Sequence, residues 1–197
     1  MIKRIRLKKA TRWSWNKVSK KYKKILLGVT GSIAAYKAGD IIRRLQEKGF
    51  DVSVIMTKEA ELFITPLTLG SLCGKKVYQN LFDSIDAWNI DHIQLAGDID
   101  FLLIAPATAN IISKIASGLA DDLLSCCVLA TQAKIFLAPA MNSEMYKNKI
   151  IQENIKRLKN FGMHFIDPVH GKLACGTEGE GHLAEVDDIV SAVMRLS

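Results

Sequence analysis

The chain has 197 residues, 49% of them hydrophobic, and carries 27 Lys and Arg against 20 Asp and Glu, a formal net charge of +7. That length suits one domain with a full hydrophobic core. The apolar content excludes a disordered chain, and no apolar run approaches the ~20 residues that cross a bilayer. The charge is unevenly placed. Residues 1–24 hold 11 Lys and Arg and no acid, which leaves 16 basic and 20 acidic residues elsewhere, a net of −4. Residues 1–23, with Trp13, Trp15 and Tyr22 among the charges, read as a solvated basic extension. Contact with nucleic acid or a membrane surface, or an organelle-targeting role, are the alternatives; the domain itself implies no nucleic-acid partner. Cys73, Cys126, Cys127 and Cys175 lack paired metal-ligand spacing, and no signal-peptide core follows the basic start. A cytoplasmic chain with reduced thiols and no metal is expected.

The domain is expected over 24–197. Lys24–Gly28 is a short apolar run and reads as the first strand. Thr30-Gly31-Ser32 is a turn. Ile33, Ala34, Ala38, Ile41, Ile42 and Leu45 then keep helical spacing up to Lys48, and Gly49 is a fitting stop. Asp51–Met56 alternates and is β-branched, a second strand closed by Thr57. Thr65-Pro66 opens a helix with Pro at its first position, reaching about Leu72. Residues 74–90 read as loop with a short strand near Val77, and Asp91–Ala96 as a short helical or looped piece. Asp100–Ala105 is a near-continuous apolar strand, as in sheets covered on both faces, with Pro106 ending it. Helices are expected over Asn110–Ser117 and Asp122–Thr131, and a strand over Lys134–Ala138. Ser143 is a plausible N-cap for a single helix from about Glu144 to Phe161. Met163–Ile166 reads as a short strand, 167–185 as a long Gly-rich loop, and Asp187–Leu196 as the last helix. Strands alternating with helices imply a doubly wound, mostly parallel sheet, a three-layer α/β/α fold.

Three turns sit at carboxyl ends of predicted strands, where open α/β sheets bind ligands. In Gly28-Val29-Thr30-Gly31-Ser32, backbone N–H groups at a helix start can hold a phosphate. Neither the P-loop nor the G-x-G-x-x-G pattern is present. Ser32 and Thr57 could add hydroxyls to one phosphate, which suits a mononucleotide better than a dinucleotide. Ala105-Pro106-Ala107-Thr108-Ala109-Asn110 offers small residues against which a flat ring can approach, with Thr108 and Asn110 as hydrogen-bonding groups. Pro139-Ala140-Met141-Asn142 places an amide that can both donate and accept. Taken singly, each also reads as a helix cap or tight turn. His92 is a candidate acid or base, and Cys175 stands among small residues in a segment that reads as a lid.

Together these pieces carry a resemblance. TGSIAAYK (30–37), DHIQLA (91–96), APATAN (105–110), GLADDLL (118–124), PAMNSEMY (139–146) and KLACGTEGEGHLAE (172–185), in that order, resemble the flavin-containing cysteine decarboxylases, and among them most closely the decarboxylases of coenzyme A biosynthesis. The resemblance runs from about Lys24 to the C-terminus. It implies a Rossmann-like, flavodoxin-like domain that binds flavin mononucleotide (FMN). Gly31, Ser32, Ile33 and Thr57 would hold the phosphate end, and Thr108, Ala109, Asn110 and Ala140 the rest of the flavin. His92 matches the catalytic histidine. Asn142 matches the asparagine that holds the cysteine-derived carboxylate, with Met145 beside it. Lys172, Leu173, Ala174 and Cys175 match a substrate clamp whose cysteine returns a proton. The implied reaction oxidises the thiol-bearing carbon of 4′-phosphopantothenoylcysteine, releases CO₂ and re-reduces the ene-thiol. Homotrimers, sometimes built into dodecamers with FMN at the subunit interface, are the implied assembly.

Two positions depart from the family pattern. Tyr146 stands where Trp is usual, and His182-Leu183 stand where Arg-Met is usual, so one cationic contact, to phosphate, is in doubt; protonated His182 could replace it. Many members carry a fused synthetase domain; this chain ends too soon for one, which implies a separate phosphopantothenate–cysteine ligase chain. Cys175 in an Ala-Cys-Gly setting favours the coenzyme A enzyme over peptidyl-cysteine decarboxylases, which need no returning acid. Ser32-Ile33-Ala34 does not match the phosphate turn of prenyl-flavin synthases. A flavin-binding regulatory subunit is the non-enzymatic alternative.

Overall fold

In the computed structural model, residues 22–81, 91–172 and 178–196 are described. Eight strands and eight helices follow one another as β1 (Lys23–Val29), α1 (Ala38–Glu47), β2 (Phe50–Met56), α2 (Pro66–Cys73), β3 (Val77–Tyr78), α3 (Asp91–Gly97), β4 (Phe101–Ala107), α4 (Ala109–Ser117), α5 (Leu123–Ala130), β5 (Lys134–Pro139), α6 (Ser143–Lys147), α7 (Lys149–Asn160), β6 (His164–Phe165), β7 (Val169–Lys172), β8 (Glu178–His182) and α8 (Val186–Arg195). Six strands form one parallel sheet in the order β3-β2-β1-β4-β5-β6. This is the doubly wound α/β fold expected from the alternation of elements, and its strand order reverses between β1 and β4.

Both faces of the sheet are covered, which explains the continuous apolar strands. On one face, Ile25, Leu27, Val29, Leu103 and Phe136 pack with Ile41, Ile42 and Leu45 of α1 and Ile189 and Val193 of α8. On the other, Leu26, Leu102, Ile104 and Leu137 pack with Ile112 and Ile115 of α4, Leu124 of α5 and Leu158 of α7. Successive residues of a strand point to opposite faces. All seven residues of β4 are therefore buried, three in one core and three in the other. Gly28 of β1 lets α5 approach closely, because a Cβ there would lie 2.6 Å from Leu124 Cδ1.

Local signals place most boundaries. Thr65 caps α2 by accepting from the Thr68 N–H at 3.2 Å, with Pro66 at the first helical position. Gly74 and Gly118 end α2 and α4 in the left-handed conformation that glycine adopts without a Cβ penalty. Four boundaries differ from the sequence reading. Ile33–Lys37 is a 3-10 segment ahead of α1 rather than its first turn. Pro106 does not end β4: the strand continues to Ala107, and the register with β5 shifts between Ile104 and Ala107. The expected helix 144–161 is two helices, because the Asn148 side chain accepts from the Ile150 N–H and starts α7 afresh. Finally, the cap of α6 is Asn142, not Ser143; the Asn142 Oδ1 accepts from the Glu144 N–H at 2.8 Å.

The Gly-rich segment 167–185 also departs from the expectation of a loop. Its described residues form an antiparallel hairpin, with Lys172 opposite Glu178 and His170 opposite Glu180. Leu183 and Ala184, just after it, are buried in the core. Among the described residues, no helix is long and apolar enough to cross a membrane.

Candidate active site

The strand-order reversal leaves a crevice at the carboxyl ends of β1 and β4. Thr30 ties its two sides together. Its hydroxyl donates to the Pro106 carbonyl at 2.7 Å and accepts from the Thr108 N–H at 3.2 Å. On the β2 side, the Thr57 N–H donates to the Val29 carbonyl at 3.0 Å; on the β5 side, the Ala140 N–H donates to the Ala107 carbonyl at 3.0 Å. The four strand ends are thus held in a row by two main-chain bonds and the Thr30 hydroxyl. The crevice opens into a cavity of about 320 Å³ lined by Thr30, Gly31, Ser32, Thr57, Glu59, Thr108, Ala109, Asn110, Ile111, Asp122, Ala140, Met141 and Met145.

Three turns that lie far apart in sequence meet there. Ser32 accepts from the Ala34 N–H at 3.3 Å and caps the 3-10 segment. Thr108 accepts from the Ile111 N–H at 3.3 Å and caps α4. Asn142 caps α6. Each polar residue therefore does what its structural reading requires, and the fold aims three helix starts, with their partly positive N–H groups, at one end of the sheet. Of the cofactor residues expected from sequence, Gly31, Ser32, Thr57, Thr108, Ala109, Asn110 and Ala140 line the cavity, and so does Met145. Ile33 instead faces outward, 57% exposed.

One atom marks where an anion fits. Thr57 Oγ1 is buried without a hydrogen-bond partner among the described residues. A buried hydroxyl left unpaired costs free energy, and a phosphate oxygen beside Gly31 and Ser32 would satisfy it. Gly31 is required for the approach, because a Cβ there would press into the Glu59 side chain. The small side chains of Ala109 and Ala140 keep the far wall open to a flat ring. The donor set and the shape therefore suit a mononucleotide such as FMN. Among the described residues, no group of three His, Cys, Asp or Glu is placed to hold a metal ion.

Five lining residues were not singled out from sequence: Thr30, Glu59, Ile111, Asp122 and Met141. Asp122 had a readable signal, since it precedes the apolar run of α5. Its Oδ1 accepts from the Ser125 N–H at 2.8 Å, and its Oδ2 accepts from Lys114 Nζ at 2.9 Å. Burial pushes this carboxyl up, but the Ser125 N–H, the Lys114 ammonium and the Ser125 hydroxyl outweigh it and hold the pKa below the ordinary value. Burial likewise pulls Lys114 down, and its bonds to Asp121 and Asp122 hold it above the usual value. A depressed carboxyl stabilises the fold above its unfolded pKa of about 3.9, and that contribution is lost as pH falls through the folded value. Asparagine is an equally good cap, so Asp122→Asn should lower stability only through the lost charge opposite Lys114, by up to about 1 kcal/mol at pH 7, with the gap from wild type closing in acid below about pH 4. Thermal unfolding against pH reads this; a gap that stays constant into acid would be the contrary result.

The remaining candidates divide. His92 lies, by its backbone, in the first turn of α3, and Lys172 at the end of β7. Leu173, Ala174 and Cys175 lie outside the described residues, as do residues 1–21 of the expected extension 1–23; its last residue, Lys23, begins β1. Asn142 caps α6 and is not among the residues that line the cavity, though Met141 before it and Met145 after it are. Tyr146 is half-buried against the second core cluster, and burial, then Asp167 and Glu180, push its phenol up. His182 lies with its Nε2 3.3 Å from Lys37 Nζ. An ammonium only donates, so this imidazole nitrogen accepts from Lys37. Cys127 is buried in α5; burial, then Cys126 and Asp122, push its thiol up to about 12. It is a core residue, not a nucleophile.

The chain is similar to proteins of known name. It is 47% identical over 169 residues to the coenzyme A biosynthesis bifunctional protein CoaBC of Vibrio vulnificus strain YJ016, covering 86% of this chain and 42% of that protein. The chain thus spans about two fifths of the length of that relative. It is 46% identical over 173 residues to a probable phosphopantothenoylcysteine decarboxylase of Streptococcus mutans, covering 87% of this chain and 97% of that protein. Among solved structures, it superimposes on a cysteine-to-serine variant of PPC decarboxylase complexed with pantothenoylaminoethenethiol. That match has a TM-score of 0.81 and 33% identity over 89% of this chain and 98% of the other. A family model described as Flavoprotein matches residues 14–197. With the strand-end cavity and this match over nearly its whole length, the chain belongs to the flavoprotein family.

Proposed function

We propose that this chain is an FMN-dependent decarboxylase that converts 4′-phosphopantothenoylcysteine to 4′-phosphopantetheine. The observation that carries the reading is the unsatisfied Thr57 hydroxyl, on a residue that lines one cavity with Gly31 and Ser32 and with Met141 and Met145, which stand on either side of Asn142 in sequence. The similarity to decarboxylases supports it. When bound, FMN supplies the electron sink that a cysteine carboxylate lacks. Gly31, Ser32 and Thr57 bind its phosphate; Thr108, Ala109, Asn110 and Ala140 position its ring. Asn142 orients the substrate carboxylate with its amide, next to Met145. His92 serves as base or charge partner at the thiol, and Cys175 holds the proton that is returned. Lys172, Leu173 and Ala174 close on the substrate. The enzyme acts as a trimer or an assembly of trimers. The exposed apolar side chains Ile33, Tyr36, Leu62 and Leu67 support that assembly.

Two measurements test the reading. Purified chain reconstituted with FMN should be yellow, and with 4′-phosphopantothenoylcysteine it should release CO₂ and yield 4′-phosphopantetheine by mass spectrometry. An absent flavin spectrum or an unchanged substrate rejects it. Cys175→Ser should still release CO₂ but accumulate a product two hydrogens short. Normal product at the wild-type rate would remove Cys175 from the proton-donor role.

A further inference from the structure

We propose that Gly179 and Gly181 are positioning residues that seat strand β8 on the Met141–Asn142–Ser143 corner and so fix the hairpin in register with Asn142. The inference rests on the decarboxylase reading for its kinetic consequence, and on geometry for its physical basis. A Cβ on Gly179 would lie 2.6 Å from Ser143 Oγ and 2.9 Å from Ser143 Cβ. A Cβ on Gly181 would collide with the Met141 carbonyl oxygen and stand 3.4 Å from the Ser143 nitrogen. The Met141 N–H donates to the Gly181 carbonyl at 3.0 Å. The strand therefore touches the residue on each side of Asn142 by main chain or by a buried side chain, Ser143 being 7% exposed.

The contact is specific to these two glycines. Gly171, on the paired strand, would accept a Cβ 3.6 Å from His182, an ordinary contact. Gly181 also has φ +134°, which side-chain-bearing residues rarely adopt, so a substitution there mixes backbone strain with contact. Gly179 lacks that complication and isolates the contact. It is also the residue next to Glu178, where β8 begins. A shift of β8 against this corner would displace Met141 and Ser143, and with them Asn142 between the two. The substrate would then meet a displaced carboxylate grip, and small misplacements of this kind lower rates sharply.

Gly179→Ala should keep FMN bound at the wild-type level yet lose about tenfold in kcat/KM, within the range of coupling between touching residues. Ser143→Gly removes both atoms the new Cβ meets. The double variant Gly179→Ala/Ser143→Gly should recover most of the loss, and Gly171→Ala should behave as wild type. A second reading needs no substrate. Amide exchange at Met141 should quicken by about tenfold in Gly179→Ala and return in the double variant. Recovery in the double supports the seat even where Gly179→Ala alone folds or binds FMN poorly. Wild-type kinetics and exchange in Gly179→Ala, or a double variant no better than the single one, would overturn it. A wild-type chain inert toward the substrate would instead fell the decarboxylase reading, with Met141 exchange still deciding the seat.

Discussion

Asn142→Asp should abolish turnover while the protein stays folded and yellow. The Asn142 Oδ1 already accepts from the Glu144 N–H at 2.8 Å, and its backbone carbonyl accepts from the Tyr146 N–H at 2.9 Å. Aspartate retains an acceptor oxygen and is an equally good cap, so α6 and the corner remain. The change falls on the other half of the amide, where a group that can donate becomes a carboxylate oxygen. Opposite a substrate carboxylate at about 4 Å, that repulsion is on the order of 4 kcal/mol at an effective dielectric near 20. The expected loss in kcat/KM is about a thousandfold. FMN absorbance after gel filtration and steady-state kinetics would be measured together. Activity within tenfold of wild type, with FMN retained, would take Asn142 out of the carboxylate-binding role.

Gly31→Ala should release the cofactor. The added methyl would press into the Glu59 side chain and lie 3.1 Å from the Glu59 carbonyl carbon and 3.3 Å from its Cα. Two of those three atoms are main chain, so a rotamer change of Glu59 does not relieve the clash. The Thr57–Glu59 turn is itself tied down, with the Thr57 N–H on the Val29 carbonyl and the Ala60 N–H on the Thr57 carbonyl, at 3.0 and 2.9 Å. The two turns must part, and the proposed phosphate seat between Ser32 and Thr57 widens. FMN affinity should fall about a hundredfold, or ~2.7 kcal/mol, read by quenching of flavin fluorescence. The apo chain should still unfold cooperatively, because the core strands on either side are untouched. Unchanged FMN affinity would mean that the phosphate sits elsewhere.

Most of the fold was legible because its signals are local. The 3.6-residue spacing of Ile41, Ile42 and Leu45, the unbroken apolar run of β4 and the capping residues Thr65 and Thr108 each depend on neighbours in sequence. The misread places share a cause, competition between local alternatives. Asn142 and Ser143 are both good caps, and Asn142 won because its side chain reaches the Glu144 N–H. The spacing from Met145 to Leu158 fits one helix, yet Asn148 re-caps the chain in its middle. The Gly-rich stretch after Asp167 has no periodicity to read, and it becomes a hairpin because Gly179 and Gly181 find a surface that only glycines fit.

The site was legible in part, for the same reason. Gly31, Ser32, Thr57, Thr108, Asn110 and Asn142 follow strands, and the carboxyl ends of parallel strands lie together. Thr30 acquires its place only through partners distant in sequence, Pro106 and Thr108; Asp122 is placed locally as a cap, and only the packing of the strand ends brings it to the cavity wall. The sequence alone determined a doubly wound sheet and three polar turns at the same end of it, since strand period and turn chemistry are short-range properties. Tertiary structure alone decided that those turns enclose one cavity, that the Thr57 hydroxyl is buried without a partner among the described residues, and that β8 packs onto the residues flanking Asn142. Such adjacencies follow from the packing of surfaces remote in the chain, which no local pattern of residues records.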